Sequence, residues 1–135
     1  MSLEENKNLA KKYIEELQNA KNIEIIYEIL SENCIIHIGE KYFDREKYKS
    51  QVESNYKMFP DMHTDITDQI AEGGRVSTQW KSRFTHSQKI MNYEPTLEEV
   101  QIAGSSIYRI VGSKIVEIWI YTDRLDMMKQ LGALG

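Results

Sequence analysis

The sequence has 135 residues, 41% of them hydrophobic and 28% charged, which is the composition of an ordinary globular domain. Its formal net charge of −4 at pH 7 argues against nucleic acid or an anionic membrane as a partner, because both attract basic surfaces. No apolar run is long enough to span a bilayer, and the N-terminus lacks the pattern of a signal peptide. Cys34, the single cysteine, excludes an internal disulfide and fits a reducing compartment. We therefore expect one cytoplasmic domain over residues 1–135.

The first half of the sequence has the apolar spacing of helices. Apolar side chains recur three or four residues apart over residues 3–19, which predicts a first helix; they are Leu9, Tyr13, Ile14 and Leu17. A shorter helix is predicted over residues 23–30 and a strand over residues 34–38. Asp44 is placed to cap a third helix over residues 45–58.

The second half alternates between apolar and polar residues, as the strands of a half-buried sheet do. Strands are predicted over residues 63–71, 75–86, 99–111 and 114–123, and a last helix over residues 124–132. Helices followed by hairpin-linked strands predict an α+β fold. In this fold a curved antiparallel sheet wraps around the N-terminal helices and leaves a cavity between the two layers.

Several kinds of site are excluded by spacing. The histidines, His37, His63 and His86, do not have the spacing of metal ligands, and a lone cysteine adds nothing, so no metal site is expected. The sequence also contains neither a glycine-rich phosphate loop nor a nucleophile elbow.

Asp123 is the most informative side chain, because strands are normally depleted in aspartate. Alternation places it on one face with a row of mostly aromatic neighbours: Ile115, Glu117, Trp119 and Tyr121. Two interpretations fit equally well. The carboxylate is either a base strengthened by poorly solvated aromatic walls, or the N-cap of the helix that follows.

His86 and the strand aromatics have similar alternatives. His86 is in phase with the apolar face of its strand, so its ring either satisfies a backbone group in the core or contacts a ligand. The aromatic side chains either line a pocket or fill the core; they are Trp80, Tyr108, Trp119 and Tyr121.

Three stretches of the sequence together form a pattern that is typical of one protein family. The first is Phe59-Pro60-Asp61-Met62-His63, the second runs over residues 70–86 with Trp80, and the third runs over residues 112–132 with Trp119, Asp123 and Gln130-Leu131-Gly132. In order and spacing they resemble the SnoaL-like polyketide cyclases, a branch of the nuclear-transport-factor-2-like and ketosteroid-isomerase-like superfamily. The match runs over nearly the whole chain.

The resemblance implies a cone-shaped α+β fold whose bent sheet encloses a pocket and often pairs two copies into a homodimer. It also implies ring closure by intramolecular aldol condensation without metal or cofactor. The family's acid/base aspartate falls on Asp123, and its substrate-contacting histidine is matched best by His86. We expect a pocket for a small hydrophobic carbonyl compound, lined by His37, Phe59, Trp80, Tyr108, Trp119 and Tyr121.

Two functions follow from the resemblance. One is a cofactor-free cyclase or isomerase that works by proton transfer; the alternative is a non-catalytic module of the same fold that binds a small molecule or a partner. The loop over residues 93–98 is bulkier and more acidic than the Pro-Pro-Thr-Gly turn of many relatives. It lies near the pocket mouth in the family, so we expect a different substrate.

Overall fold

The computed structural model, which describes residues 2–132, has four helices and a six-stranded sheet. The helices are α1 (Leu3–Lys12), α2 (Ile26–Ile29), α3 (Arg45–Met58) and α4 (Arg124–Leu131). The strands are β1 (Leu30–Ile38), β2 (Lys41–Phe43), β3 (His63–Glu72), β4 (Arg75–Thr85), β5 (Glu99–Val111) and β6 (Lys114–Thr122). A π-helical segment, Tyr13–Asn19, continues α1, and a 3-10 turn, Ile23–Ile25, precedes α2. The sheet is curved and unclosed, and the predicted α+β fold is confirmed.

Side-chain caps fix where the long helices begin. The Ser2 hydroxyl accepts a hydrogen bond of 3.0 Å from the Glu5 amide, and the Glu5 carboxylate accepts one of 3.2 Å from the Ser2 amide. This reciprocal pair satisfies two amides that the first turn of α1 leaves without a partner. Asp44 caps α3 as predicted, because its carboxylate accepts from the amide of Lys47 at 2.8 Å.

The sheet is antiparallel except at one junction. Its strand order is β2-β1-β6-β5-β4-β3, and β1 runs parallel to β6. The parallel pairing also lengthens β1 beyond the prediction, because Leu30 already pairs with Ile115. Three-residue β2, which folds back on the end of β1, is too short for alternation to reveal it.

The main core lies between the inner face of the sheet and the N-terminal helices. Tyr13 is fully buried there, with its ring edge-on to Tyr108 at a centroid distance of 5.3 Å. Asn19 ties the π-helical segment to β3, since its amide donates to the carbonyl of Thr64 and accepts from the amide of Thr64, both at 2.8 Å. These contacts hold the helical layer at a fixed distance from the sheet.

A bulge in β6 decides which of its side chains face inward. Ile110 of β5 pairs with Ile115, but the next residue back, Arg109, pairs with Glu117. One extra residue in β6 reverses the alternation at this point. Ile115 therefore points to the inner face, where it is fully buried, while Glu117 and Trp119 lie on the outer face.

Candidate functional site

A cavity of about 620 Å³ lies between the inner face of the sheet, α3 and α4. Its wall is mostly apolar and includes Phe59, Met62, Trp80, Ile90, Ile102 and Ile120. Neutral polar side chains interrupt that wall, namely those of Gln18, Tyr48, Asn55, Thr64, Ser82 and Thr122. Arg124 is the only charged residue of the described chain that lines the cavity. A concave, mostly apolar space with a few neutral hydrogen-bonding groups is typical of a small-molecule site.

Trp80 forms one side of the cavity, and Gly104 allows it to lie there. The two residues pair across β4 and β5, and a Cβ atom on Gly104 would overlap the six-membered ring of the indole. The indole Nε1 donates to the Ser106 hydroxyl at 2.9 Å. Gly104 and Ser106 thus fix the indole flat against the sheet, which keeps the space beside it open.

Two hydroxyl pairs lie on the inner surface. The hydroxyls of Thr64 and Ser82, both buried, are 2.6 Å apart. Tyr48 contributes to the cavity wall, and its buried hydroxyl is hydrogen-bonded to the hydroxyl of Tyr13. Burial raises the pKa of Tyr48 to about 12, so the phenol stays protonated and able to donate at neutral pH.

Asp123 is the N-cap of α4. Its carboxylate accepts a hydrogen bond of 3.1 Å from the amide of Asp126, and its side chain is exposed. It borders a shallow depression on the outer face rather than the large cavity. The flanking residues Thr122 and Arg124 do line that cavity, so Asp123 lies at its rim. Asp123 is exposed, so the poorly solvated aromatic wall expected around its carboxylate does not enclose it.

His86 is completely buried at the base of a long loop. Its Nδ1 accepts from the Thr96 amide at 3.3 Å and lies 3.2 Å from the Thr96 hydroxyl. An accepting Nδ1 assigns the proton to Nε2, which has no hydrogen-bond partner among residues 2–132. The ring does not line the cavity; it holds the loop that supplies Ile90 and Met91 to the cavity wall.

The remaining pocket predictions divide between the two faces of the sheet. Phe59 and Trp80 line the cavity, and Tyr121 borders it while being 57% exposed. Tyr108 is fully buried in the core and does not line it. His37 and Trp119 lie on the outer face, where their rings stack at 5.4 Å.

The outer face has its own charged cluster around Glu117. This carboxylate accepts from His37 Nε2 at 2.6 Å and from Arg109 at 3.1 Å. The His37 hydrogen bond, followed by that of Arg109, lowers the pKa of Glu117. Arg75 lies over the other side of Trp119, 5.3 Å from the ring centroid. The Glu117 carboxylate is therefore paired within this cluster, on the face of the sheet away from the cavity.

Sequence reasoning missed most polar residues of the cavity. Helical spacing and alternation do not identify Tyr48, Thr64 or Ser82 as cavity residues. The alternation of β4 is the one signal that could have indicated Ser82, because Ser82 lies on the same inward face as Trp80 and Phe84. Nothing local indicates that Tyr48 meets Tyr13, because the two are 35 positions apart.

Within residues 2–132, no helix combines the length and the apolarity needed to cross a membrane. In the same part of the chain, no three His, Cys, Asp or Glu side chains come together in a way that could bind a metal ion.

The comparisons with known proteins agree with this fold. The sequence profile of the SnoaL-like polyketide cyclase family matches residues 8–131, and the chain belongs to that family. A search of curated proteins found no match.

Several solved structures share the fold. AclR from Streptomyces galilaeus, described as a candidate hydroxylase, superposes with a TM-score of 0.89 at 23% identity, covering 99% of this chain and 89% of AclR. IdmH from Streptomyces antibioticus, described as a candidate polyketide cyclase, gives 0.85 at 26% identity, with 94% and 98% covered. TsrD from Streptomyces laurentii gives 0.87 at 14% identity, with 99% of each chain covered.

Proposed function

We propose that this protein binds a small, mostly hydrophobic compound with one or more oxygen functions in the cavity between the sheet, α3 and α4. The observation that carries the proposal is the lining itself. An apolar wall surrounds neutral hydroxyl and amide groups, and no acidic residue of the described chain takes part. Such a lining favours ligands with a large apolar surface and can hydrogen-bond their uncharged oxygen atoms, while it has no carboxylate to bind a polycation.

The family supports this class of ligand. Polyketides are largely hydrocarbon rings and chains that carry carbonyl and hydroxyl oxygens, so they suit a wall of this composition. The relatives are described with more than one reaction, a cyclisation for IdmH and a hydroxylation for AclR. Binding an oxygen-bearing hydrophobic compound is the requirement that both reactions share.

Calorimetric titration with 2-acetylnaphthalene, a small aromatic ketone, tests the binding proposal. We expect saturable binding that Ile120→Trp weakens at least tenfold, because Ile120 lines the cavity. Ile107→Trp is the matched control, since Ile107 pairs with Trp119 on the outer face. Absence of saturable binding, or equal losses in the two variants, would contradict the proposal.

A second candidate function is proton transfer by Asp123, as in a cofactor-free cyclase or isomerase. The observation that favours it is position: Asp123 lies between two residues that line the cavity, Thr122 and Arg124. A carboxylate at the rim that leaves its cap bond to Asp126 would reach a ligand near the mouth. It could then remove a proton from carbon next to a carbonyl group.

We also propose that the outer face of the sheet pairs two copies of the chain. Its exposed apolar side chains include Ile35, which is 41% exposed, and Tyr121, which is 57% exposed. They flank the stacked rings of His37 and Trp119 on this face. Sedimentation velocity of the wild type and of Tyr121→Glu tests this, with a dimer expected only for the wild type. A monomeric wild type would contradict it.

A further inference from the structure

We infer that Arg124 binds a carboxylate, and that the ligand of the cavity is therefore an organic acid with a hydrophobic body. The inference rests on the proposed function and narrows it to anions, whereas the carbonyl compounds implied by the family need no charge. Its starting point is the lining of the cavity, in which Arg124 is the only charged residue of the described chain.

The guanidinium group of Arg124 lies at the mouth of the cavity. Its Nη2 donates to the Sδ of Met91 at 3.4 Å, and Met91 lines the same cavity. Arg124 is exposed and Met91 is 40% exposed, so the contact lies where the cavity meets solvent. It joins the start of α4 to the loop that follows β4. The contact therefore holds the guanidinium beside the cavity.

The contact with Met91 leaves most of the guanidinium unused. A thioether sulfur is a weak acceptor, and a guanidinium has five N–H groups. Within residues 2–132, Arg124 makes no other side-chain hydrogen bond and no ion pair. Two parallel N–H groups remain for a carboxylate, whose two oxygens match the planar fork of an arginine.

The acidic neighbours of Arg124 on α4 have other partners. Asp123 accepts from the amide of Asp126 and borders the depression on the outer face. Asp126 accepts from the side-chain amide of Gln130 at 2.9 Å. Neither acid lines the cavity. A ligand carboxylate at the mouth would therefore be attracted by Arg124 and would meet no acidic residue in the described lining.

The charge of the whole chain acts in the opposite direction. A formal net charge of −4 repels an anion, so on this ground alone the protein should bind an acid less tightly than a neutral compound of the same shape. A preference for the acid requires a local positive group. Arg124 is the described residue that can supply this charge at the cavity.

Two probes of the same shape isolate the charge. 2-Naphthoate has a carboxylate where 2-acetylnaphthalene has an acetyl group. We expect the wild type to bind 2-naphthoate about fivefold more tightly at low ionic strength, the upper range for an ion pair that stays partly exposed. Arg124→Gln should remove this preference. Lys129→Gln, the matched control, should keep it, because it removes the same charge from the same helix outside the cavity.

Isoleucine methyl NMR shows whether the acid occupies the cavity. Bound 2-naphthoate should shift the methyl signals of Ile102 and Ile120, which line it. A wild type that binds the ketone as tightly as the acid, or more tightly, would overturn the inference while leaving cavity binding intact. An unchanged preference in Arg124→Gln, or an equal loss in Lys129→Gln, would do the same. Failure of both probes to bind would overturn the inference together with the proposed function.

Discussion

The carboxylate of Asp123 accepts a hydrogen bond from the backbone amide of Asp126, at 3.1 Å, and so begins the last helix of the chain. Thr122 and Arg124, on either side of it, line the cavity. The same carboxylate therefore caps a helix and lies close enough to the cavity to act as a base on a ligand. Substitutions at this position can separate the two tasks, because caps and bases require different properties.

Asp123→Asn and Asp123→Ala should affect stability differently. Asparagine caps helices about as well as aspartate, so Asp123→Asn should unfold close to the wild type. Asp123→Ala should lose about 1 kcal/mol of unfolding free energy. Chemical denaturation measures both, with Asp123→Ser as a second capping control. Equal stability of all the variants would contradict the capping role.

The role of Asp123 as a base can be measured separately, by proton exchange. A base at the cavity rim should speed the exchange of the methyl protons of bound 2-acetylnaphthalene in D₂O, a reaction that passes through the enolate. NMR follows this exchange directly. We expect Asp123→Asn to lower the catalysed rate at least a hundredfold while leaving ketone affinity unchanged. Undiminished exchange in Asp123→Asn would show that Asp123 is a cap and not a base.

Gly104 should tolerate a side chain poorly, and the size of Trp80 should set a large part of the cost. Gly104→Ala places a Cβ inside the volume of the indole, so it should cost about 1–3 kcal/mol through overpacking and displace Trp80 into the cavity. Thermal unfolding and ketone titration measure the two effects. In a double-mutant cycle, Trp80→Phe should relieve the part of the penalty that the indole causes, while the contact with the backbone oxygen of Tyr121, 2.7 Å from the same Cβ position, remains. Additive losses would contradict this packing.

Glu117 should make stability depend on pH in the acidic range. Its pKa is lowered by the His37 hydrogen bond first and by Arg109 next, so the folded state binds a proton at Glu117 less readily than the unfolded chain does. This contribution is present above the unfolded pKa of about 4.3 and is lost as pH falls through the lower folded pKa. Glu117→Gln should therefore cost about 1 kcal/mol near neutral pH.

Denaturation curves at a series of pH values measure the Glu117 effect. The difference between wild type and Glu117→Gln should shrink as the solution is acidified and vanish once the carboxyl is protonated in both states. The control is Glu99→Gln, because Glu99 is an exposed strand residue outside this cluster. A difference that stays constant with pH would contradict the assignment.

His86 should act on the loop that follows it. Its Nδ1 accepts from the Thr96 amide, so His86→Phe should leave that amide unpaired and cost about 1–2 kcal/mol. Hydrogen exchange at Thr96 should become faster in His86→Phe, while exchange in the core of β5 should change less. A direct ligand contact would give a different result, namely weaker ketone binding with Thr96 exchange unchanged.

The elements that could be predicted from the sequence are those fixed by local pattern. The Asp44 cap and the periodicity that follows it predict α3, and the clean alternation from Arg75 onward predicts β4 with Trp80 facing inward. Both are set by neighbours within a few positions, so they are visible without the rest of the fold.

What the sequence could not reveal depends on long-range pairing. The bulge opposite Arg109 and Ile110 reverses the alternation of β6 and puts Trp119 on the outer face, away from the cavity. The parallel pairing of β1 with β6 then brings His37 onto Trp119. For Asp123, both interpretations were available from local sequence, and only the position of α4 shows that the cap is formed.

Methyl NMR of isoleucine tests the central claim, binding in the cavity, most directly. Four isoleucines line the cavity, Ile38, Ile90, Ile102 and Ile120, and others lie on the outer face, including Ile35, Ile70 and Ile107. Titration with 2-acetylnaphthalene should shift the first group saturably, with contacts from the ligand to Ile102 and Ile120, and leave the second group unchanged. Saturable shifts confined to the outer face, or none at any isoleucine, would contradict the claim.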